Sequence, residues 1–399
     1  MESISFKNSK IQYILILFII LWSGGGFTYG YFKYWPYFLV LFLSIVAFRN
    51  NAKITKKEIC VFSFIYSFLL FQNLYYGSSF TGTFLPFSSI LAMFLCVKLY
   101  SKKFTDIFIS IVYHIALVTL VIWILCLIPS IKNAIMQLAN RLPDLGFDNI
   151  LEIRGFTKTM ETIYIYTFDL ASEKNRNFGP FWEPGRYTIY LNIALALNLF
   201  KNNTPLKNKK NLILIFTNIT TFSTTGYLVL FMILLAYSLN EKMSFLQKAL
   251  LFLTFAILTV YVLQLDFMTE KINNNMASDS TESRFTAMAY HFMQIQEHPY
   301  LGYGINLSSV FNELEGSPNG LTDLMRYWGV PLSLILYFLF IFKGNLLEKN
   351  SIYNRLLSII ILVLAFSQTI TMSPFYYFLY IKALDYEPQD KKNSNSMSI

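Results

Sequence analysis

Residues 105–128 read TDIFISIVYHIALVTLVIWILCLI, a stretch in which Asp106 is the single Asp, Glu, Lys or Arg. A bilayer core about 30 Å thick requires about 20 mostly apolar residues in helical form. This stretch meets that requirement and predicts a transmembrane helix. The composition of the 399-residue chain agrees, since 55% of its residues are hydrophobic and only 14% are charged. An ordinary soluble domain is excluded on these grounds.

Apolar runs of similar length recur on both sides of this stretch. The clearest are 11–29, 34–48, 59–76, 84–99, 186–200, 247–265 and 322–342. Two longer runs, 211–239 and 355–384, are interrupted by Thr-Thr-Gly and Met-Ser-Pro, and each predicts a tight pair of short helices. The predicted fold is therefore an all-α, polytopic integral membrane protein with about twelve transmembrane helices, about eleven being the alternative.

Lysine and arginine in the short loops set the expected orientation. Four basic loops, 49–58, 98–103, 201–210 and 343–355, are predicted to be cytoplasmic. Two long loops then lie outside the cytoplasm, provided that 211–239 is a hairpin. The resulting segments are N-terminal helices 1–128, a first outer loop 129–185, central helices 186–265, a second outer loop 266–321, C-terminal helices 322–384 and a cytoplasmic tail 385–399.

The net charge of +9 follows from this positive-inside bias and the polar tail, so no nucleic-acid partner is predicted. The sequence has no Walker loop, GxGxxG, HExxH or paired CxxC motif, and no aspartate-rich site for a metal and a nucleotide sugar. Neither a cofactor nor a metal is expected.

The first outer loop ends in NFGPFWEPGRYTIY, residues 177–190, which places charged groups at a membrane edge. Pro184 fits the first turn of a helix, and Glu183 would then be its N-cap. In one interpretation Glu183 only caps the helix, while Arg176 and Arg186 contact lipid headgroups. In the other, the helix N-terminus and the two guanidiniums bind a diphosphate, and Glu183 is a general base.

Aromatic side chains accompany these charges. Trp182 and Tyr187 offer ring surfaces of the kind that stack on sugars. In the second outer loop Arg284, His291 and His298 recur every seven residues, so they would share one face of a helix. That face either lines a site or is a solvated stripe, and the sequence leaves both readings open.

Several short motifs occur in a recognisable order: GPFWEPGRY, FSTTGYL, SRF, EHPYLGYGIN and SPNGLTDLMRYWG. In this order and membrane placement, residues from about 176 to 342 resemble the O-antigen polymerase and O-antigen ligase superfamily. Ligases of the superfamily typically carry a His-Asn pair where this chain has Pro318-Asn319. The resemblance therefore favours a polymerase, with a ligase as the alternative. A flippase or transporter is less favoured, because the conspicuous charges fall in outer loops rather than at the membrane midplane.

The resemblance implies a metal- and nucleotide-independent glycosyltransferase of the bacterial inner membrane that faces the periplasm and joins undecaprenyl-diphosphate-linked oligosaccharides. Membrane lipid, a chain-length regulator and a flippase of the same pathway are the further partners it implies. The expected catalytic residues are Glu183, Arg284 and His298. The expected substrate-binding residues are Arg176, Trp182, Arg186, Tyr187, His291, Asn319 and Arg326.

Overall fold

The computed structural model describes residues 9–24, 35–77, 81–143, 160–170, 175–240, 284–304, 319–348, 352–368 and 371–384, with a few single positions between 246 and 253. Most of the described chain is helical. In its N-terminal half the helices are α1 (Ser9–Gly24), α2 (Trp35–Arg49), α3 (Lys56–Tyr75), α4 (Thr81–Leu125) and α5 (Pro129–Ala139).

The second half of the described chain is built in the same way from shorter helices. They are α6 (Pro184–Phe200), α7 (Lys209–Thr220), α8 (Thr224–Asn240), α9 (Arg284–Glu297), α10 (Gly320–Trp328), α11 (Val330–Phe342), α12 (Ile352–Phe366) and α13 (Pro374–Leu384). Two short strands, β1 (Met160–Thr162) and β2 (Thr167–Asp169), pair antiparallel.

Within the described residues, three stretches are long and apolar enough to cross a membrane: Lys56–Tyr75, Thr83–Tyr100 and Lys103–Leu125. The last two belong to α4 and match the predicted spans 84–99 and 105–128. Shorter apolar helices are Lys10–Gly24, Trp35–Arg49, Thr224–Leu239, Val330–Phe342 and Ile352–Phe366. The chain is therefore a mainly helical protein with helices suited to a membrane.

The two halves of α4 pack against different partners. In the first half, Thr83 accepts a hydrogen bond from Asn73 near the end of α3, and Lys98 pairs with Glu58 near its start. This half therefore runs antiparallel to α3. In the second half, Thr105 accepts a bond from Lys201 and Thr119 bonds to Tyr187, so this half runs antiparallel to α6 in the same way.

Helix α6 lies at the centre of the bundle and is buried along its whole length. Helix α7 packs antiparallel to it. Asn198, near the end of α6, bonds to Asn211 near the start of α7, whereas Asn177, which precedes α6, bonds to Thr220 at the end of α7. Helix α8 runs back toward the end of α6. Near the end of α8 the Tyr237 hydroxyl accepts a bond from the backbone N–H of Leu206, which follows α6. The run 211–239 thus forms two short helices that reverse direction, as its sequence predicts.

The run 355–384 also contains two helices, α12 and α13. The backbone N–H of Leu347 donates to Asn354 at the start of α12, and the N–H of Asn345 donates to the carbonyl of Ala383 at the end of α13. The start of α12 and the end of α13 are therefore close together, so the two helices form one hairpin.

The predicted span 322–342 is wrong as a single helix. It is split at Gly329, which has φ +78°, into α10 and α11. A side chain at this position would collide with the backbone of Tyr300, at 2.2 Å from its carbonyl oxygen, so glycine permits the close approach. Pro331 follows within the first turn of α11, where its missing N–H costs nothing.

The described part of the predicted first outer loop contains regular secondary structure that includes strands, which the predicted all-α fold does not. It contains the amphipathic helix α5 and the β1–β2 hairpin, whose Tyr166 and Phe168 pack on Cys126. A small β-element must therefore be added to the predicted all-α class. The predicted span 247–265, apart from Ala249 and Leu253, residues 266–283 and 305–318 of the predicted second outer loop, and the tail 385–399 lie outside the described residues.

The four basic loops gather at one end of the bundle. Glu58 pairs with Lys98, while Lys201 bonds to Thr105 and pairs with Glu348. We call this the basic end. At the opposite end, Tyr76, just after α3, donates to the carbonyl of Gly302, and Glu183 precedes α6. We call this the site end.

Candidate functional site

Glu183 precedes the first residue of α6, at the predicted N-cap position, with Pro184 in the first turn. Its carboxylate makes no capping hydrogen bond to the helix, however. Instead Glu183 Oε1 accepts a bond of 2.9 Å from Nε2 of Gln368, in the connection between α12 and α13. The simple capping interpretation therefore fails in its physical basis, because the carboxylate does not satisfy the N–H groups of α6.

Gln368 lies between two helix N-termini. A Cβ added to Gly185, in the first turn of α6, would lie 2.6 Å from Gln368 Nε2. A Cβ added to Gly320, the first residue of α10, would lie 2.4 Å from the Gln368 carbonyl oxygen. Thr371 also donates to the Gly320 carbonyl. The two glycines therefore let one loop touch the positive ends of two helix dipoles.

Arg186 lies one turn into α6 and is only 3% exposed. Its guanidinium carbon lies 4.6 Å from the centre of the Trp182 ring, and Nη1 donates to the carbonyl of Ser23 at the end of α1. Trp182 is itself buried, with Met160 of β1 packed against it. The pair holds a positive charge beneath the surface and does not present a ring for stacking on a sugar.

Arg176 is partly buried at the same end and bonds the turn between α7 and α8. Its Nε donates to the carbonyl of Thr221 and its Nη2 to that of Phe222. Burial lowers the pKa of Arg176, and the carboxylates of Glu183 and Asp169 oppose this effect. The guanidinium remains charged at neutral pH, because its ordinary pKa is above about 12. The charges of Arg176 and Glu183 therefore lie close enough to interact.

His291 of α9 is fully buried against α10. Its Nδ1 lies 2.6 Å from the hydroxyl of Thr322, and its Nε2 lies 2.5 Å from Nη1 of Arg326. The same Nη1 donates to Asp323 at 3.2 Å. Burial first, and then the charge of Arg326, lower the pKa of His291 to about 3. His291 is therefore neutral at physiological pH.

Asn319 is the N-cap of α10 and uses its side-chain oxygen for that purpose, accepting from the backbone N–H groups of Leu321 and Thr322. The sequence predicted Asn319 only as a substrate-binding residue. The structure assigns its oxygen a capping role as well, because this oxygen satisfies N–H groups that the helix leaves open.

The expected shared face of Arg284, His291 and His298 is divided. Arg284 begins α9, but its side chain lies outside the described residues. His298 follows the end of α9 and packs edge-on against the rings of Tyr76 and Tyr303. Since Glu297 ends the helix, His298 falls in the turn that leads to Gly302 and not on the helical face that carries His291.

Tyr187 was predicted to offer its ring to a sugar, but the structure buries this ring. Its side chain is fully buried, its hydroxyl lies 2.8 Å from Thr119, and its ring packs on Phe181. Gly179, with φ +57°, leaves room for this ring, since an added Cβ would lie 2.7 Å from it. Tyr187 is therefore a packing residue that joins α6 to α4.

Sequence reasoning missed Gln368, Thr371 and Asp323. The signal for the first two was available, because QTITMSP introduces hydrogen-bonding groups into an otherwise apolar run. Asp323 lies three residues before Arg326 on one helix face, a spacing at which such pairs interact. Within the described residues, no group of three or more His, Cys, Asp or Glu is placed to hold a metal ion.

Glu183 is a partly accessible group of this site. Between Asn177 and Phe200, all of which the structure describes, it is the one residue that is not buried. Two arginines lie close by, and Gln368 orients one carboxylate oxygen. Such an arrangement is suited to taking a proton from a hydroxyl group in a region of positive potential.

Comparison with known proteins identifies no relative. No protein-family model matches the chain, and neither the curated proteins nor the solved structures include a significant match.

Proposed function

We propose that this chain is a surface-polysaccharide polymerase of the O-antigen type. It joins oligosaccharide repeats carried on undecaprenyl diphosphate, and the site end faces the periplasm across a bacterial inner membrane. The proposal includes about twelve membrane spans, with the basic loops in the cytoplasm. A ligase that passes the glycan to lipid A core or another acceptor is the alternative in the same superfamily.

The observation that carries the proposal is the placement of Glu183. Its carboxylate is the accessible group in a long buried segment, and Gln368 ties it to a loop shared by two helix N-termini. Helix N-termini and guanidiniums stabilise phosphate oxygens. A base beside a diphosphate-binding region is what glycosyl transfer from a lipid diphosphate requires.

The proposed reaction is a substitution at the anomeric carbon of the donor glycan. An acceptor hydroxyl oxygen forms a bond to this carbon, and Glu183 takes the hydroxyl proton. The bond between the anomeric carbon and the diphosphate oxygen breaks, and the electron pair leaves with the undecaprenyl diphosphate. No electrons are gained or lost overall, so no redox partner is needed.

Arg176 and Arg186 have separate roles in this proposal. Arg176 is partly exposed and uses Nε and Nη2 for backbone carbonyls, so its remaining N–H groups are assigned to the leaving diphosphate. Arg186 acts from beneath the surface, since Trp182 covers it. Positive charge fixed before the reaction stabilises the developing negative charge, an effect typically worth about a hundredfold or more in rate.

The experiment that tests the function is the lipopolysaccharide ladder of cells that lack the gene. A polymerase defect leaves a single repeat on the lipid A core. A ligase defect leaves the core bare while lipid-linked polymer accumulates. An unchanged ladder in the deletion strain would contradict both glycosyltransferase proposals.

A further inference from the structure

The hydrogen bonds around His291 determine where its proton resides. A guanidinium has N–H donors and no acceptor, so the contact of 2.5 Å from Arg326 Nη1 requires a lone pair on His291 Nε2. A neutral imidazole with a lone pair on Nε2 carries its proton on Nδ1. Nδ1 therefore donates to the Thr322 hydroxyl, 2.6 Å away.

The chain of bonds continues from there to the start of α10. Because the Thr322 hydroxyl accepts from His291, its own proton is free to be donated to the carbonyl of Asn319, at 3.4 Å. One imidazole thus connects the guanidinium near the end of α10 with the N-cap residue at its start. Helix α9 in this way fixes two groups that were both expected to bind substrate.

We propose that His291 is a positioning residue, a permanently neutral imidazole that accepts from Arg326 through Nε2 and donates to Thr322 through Nδ1, thereby orienting Arg326, which is expected to bind substrate. It transfers no proton in the reaction. The readout by polymer synthesis rests on the proposed function, whereas the spectroscopic readout below does not.

The charged groups around His291 favour the neutral form. From α10, Arg326 faces Nε2 and opposes protonation, while Asp323 shares the Nη1 of Arg326. The segment after α9 contributes Tyr303, whose backbone N–H donates to the Arg326 carbonyl and whose hydroxyl donates to Glu297. Among the described residues, the carboxylates of Asp323 and Glu297 thus accept from Arg326 and Tyr303 respectively.

The direct test is nitrogen NMR of the full chain in nanodiscs with ¹⁵N-labelled histidine. The sequence has only three histidines, so His291→Gln identifies the signal of His291 by its loss. We expect that signal to report the neutral tautomer protonated at Nδ1 at every pH from 8 to 5. A signal that titrates near the ordinary value of about 6.5, or that reports protonation at Nε2, would overturn the proposal.

Variants separate positioning from proton transfer. His291→Gln places an amide oxygen where Nε2 accepts, so we expect polymer synthesis within about threefold of wild type. His291→Leu removes the acceptor, and His291→Lys sets a cation against Arg326, so both should lose roughly tenfold or more. Equal loss in all three variants at matched protein levels would overturn the positioning role.

Failure of the two proposals can be distinguished. If the chain is not a polymerase, the gene deletion leaves the ladder unchanged, and the NMR result still decides the state of His291. If His291 is not a positioning residue, the deletion changes the ladder but the tautomer or the variants depart from the expected result.

Discussion

At the basic end of the bundle two lysines share one carboxylate, whereas at the site end Arg326 pairs with Asp323 and two further arginines donate to backbone carbonyls. Lys201 and Lys382 each lie 2.8 Å from Oε1 of Glu348. Arg176 and Arg186 donate to backbone carbonyls instead. A carboxylate neutralises the charge it contacts, while a carbonyl only orients it. The basic end is thus built as a structural clasp, whereas the bonds from Arg176 and Arg186 to backbone carbonyls orient their guanidiniums.

The clasp joins helices that also carry the site. Lys201 follows the end of α6, whose other end begins after Glu183, and Lys382 lies near the end of α13, whose other end follows the Gln368 loop. The clasp thus joins two helices whose opposite ends flank the Glu183–Gln368 bond. The two ends therefore differ in chemistry but depend on the same pair of helices.

The largest effect that would sharpen this comparison comes from exchanging the cations. Arg186→Lys keeps the charge but loses the planar group that stacks on Trp182, so we expect polymer synthesis to fall roughly tenfold or more. Lys201→Arg is the matched control, since it keeps a donor for Glu348. Ladder intensity at equal membrane protein level is the measurement. Comparable losses in the two variants would show that the ends do not differ in function.

The two glycines that touch Gln368 should differ in kind. Gly320→Ala would force a Cβ onto backbone oxygens of Gln368 and Ala365, at 2.4 and 2.7 Å, so we expect about 1–3 kcal/mol of destabilisation. Gly185→Ala meets the movable amide of Gln368 and should cost less stability while displacing it from Glu183. Thermal unfolding in detergent and ladder length measure the two effects. A lower melting temperature for Gly185→Ala than for Gly320→Ala would contradict this.

Acid should weaken the two ends in different pH windows. The pKa of His291 is lowered from 6.5 to about 3, so its contribution to stability is complete above 6.5 and declines as the pH falls toward 3. Burial alone would raise the pKa of Glu348, but hydrogen bonds from Lys201 and Lys382 outweigh it and lower the pKa from 4.5. Its contribution is therefore lost only as the pH falls below 4.5.

Melting temperatures of the protein in detergent between pH 7.5 and 5 test these windows. We expect the wild-type value to fall over this range and His291→Gln to fall less. Glu348→Gln should lower the melting temperature throughout without changing that slope. An identical slope for wild type and His291→Gln would remove the buried neutral histidine from the account.

The sequence predicted the membrane class, most of the helices and the grouping of the basic loops, because hydropathy and charge are local properties. It also predicted that Pro184 begins a helix after Glu183. It did not predict the Glu183–Gln368 bond, which joins residues 185 positions apart through tertiary packing. Nor did it predict that the rings of Trp182 and Tyr187 are both buried, since the burial of aromatic residues at a helix start depends on tertiary packing.

The smallest expected effect concerns Tyr187. Tyr187→Phe removes one buried hydroxyl bonded to Thr119 and leaves the ring in place, so we expect about 1 kcal/mol or less of lost stability and normal polymer length. Unfolding in detergent and the lipopolysaccharide ladder check both parts. Shortened polymer in this variant would return Tyr187 to the set of sugar-binding residues.

The proposed transfer reaction depends above all on Glu183 acting as the base. The most direct measurement is polymer formation by the purified protein in nanodiscs supplied with undecaprenyl-diphosphate-linked repeats, for wild type, Glu183→Asp and Glu183→Asn. Asparagine keeps a hydrogen-bonding oxygen for Gln368 but takes no proton. We expect Glu183→Asn to lose roughly a hundredfold or more in rate and Glu183→Asp to retain partial activity. Wild-type rates in Glu183→Asn, with Gln368 still in place, would contradict the central claim.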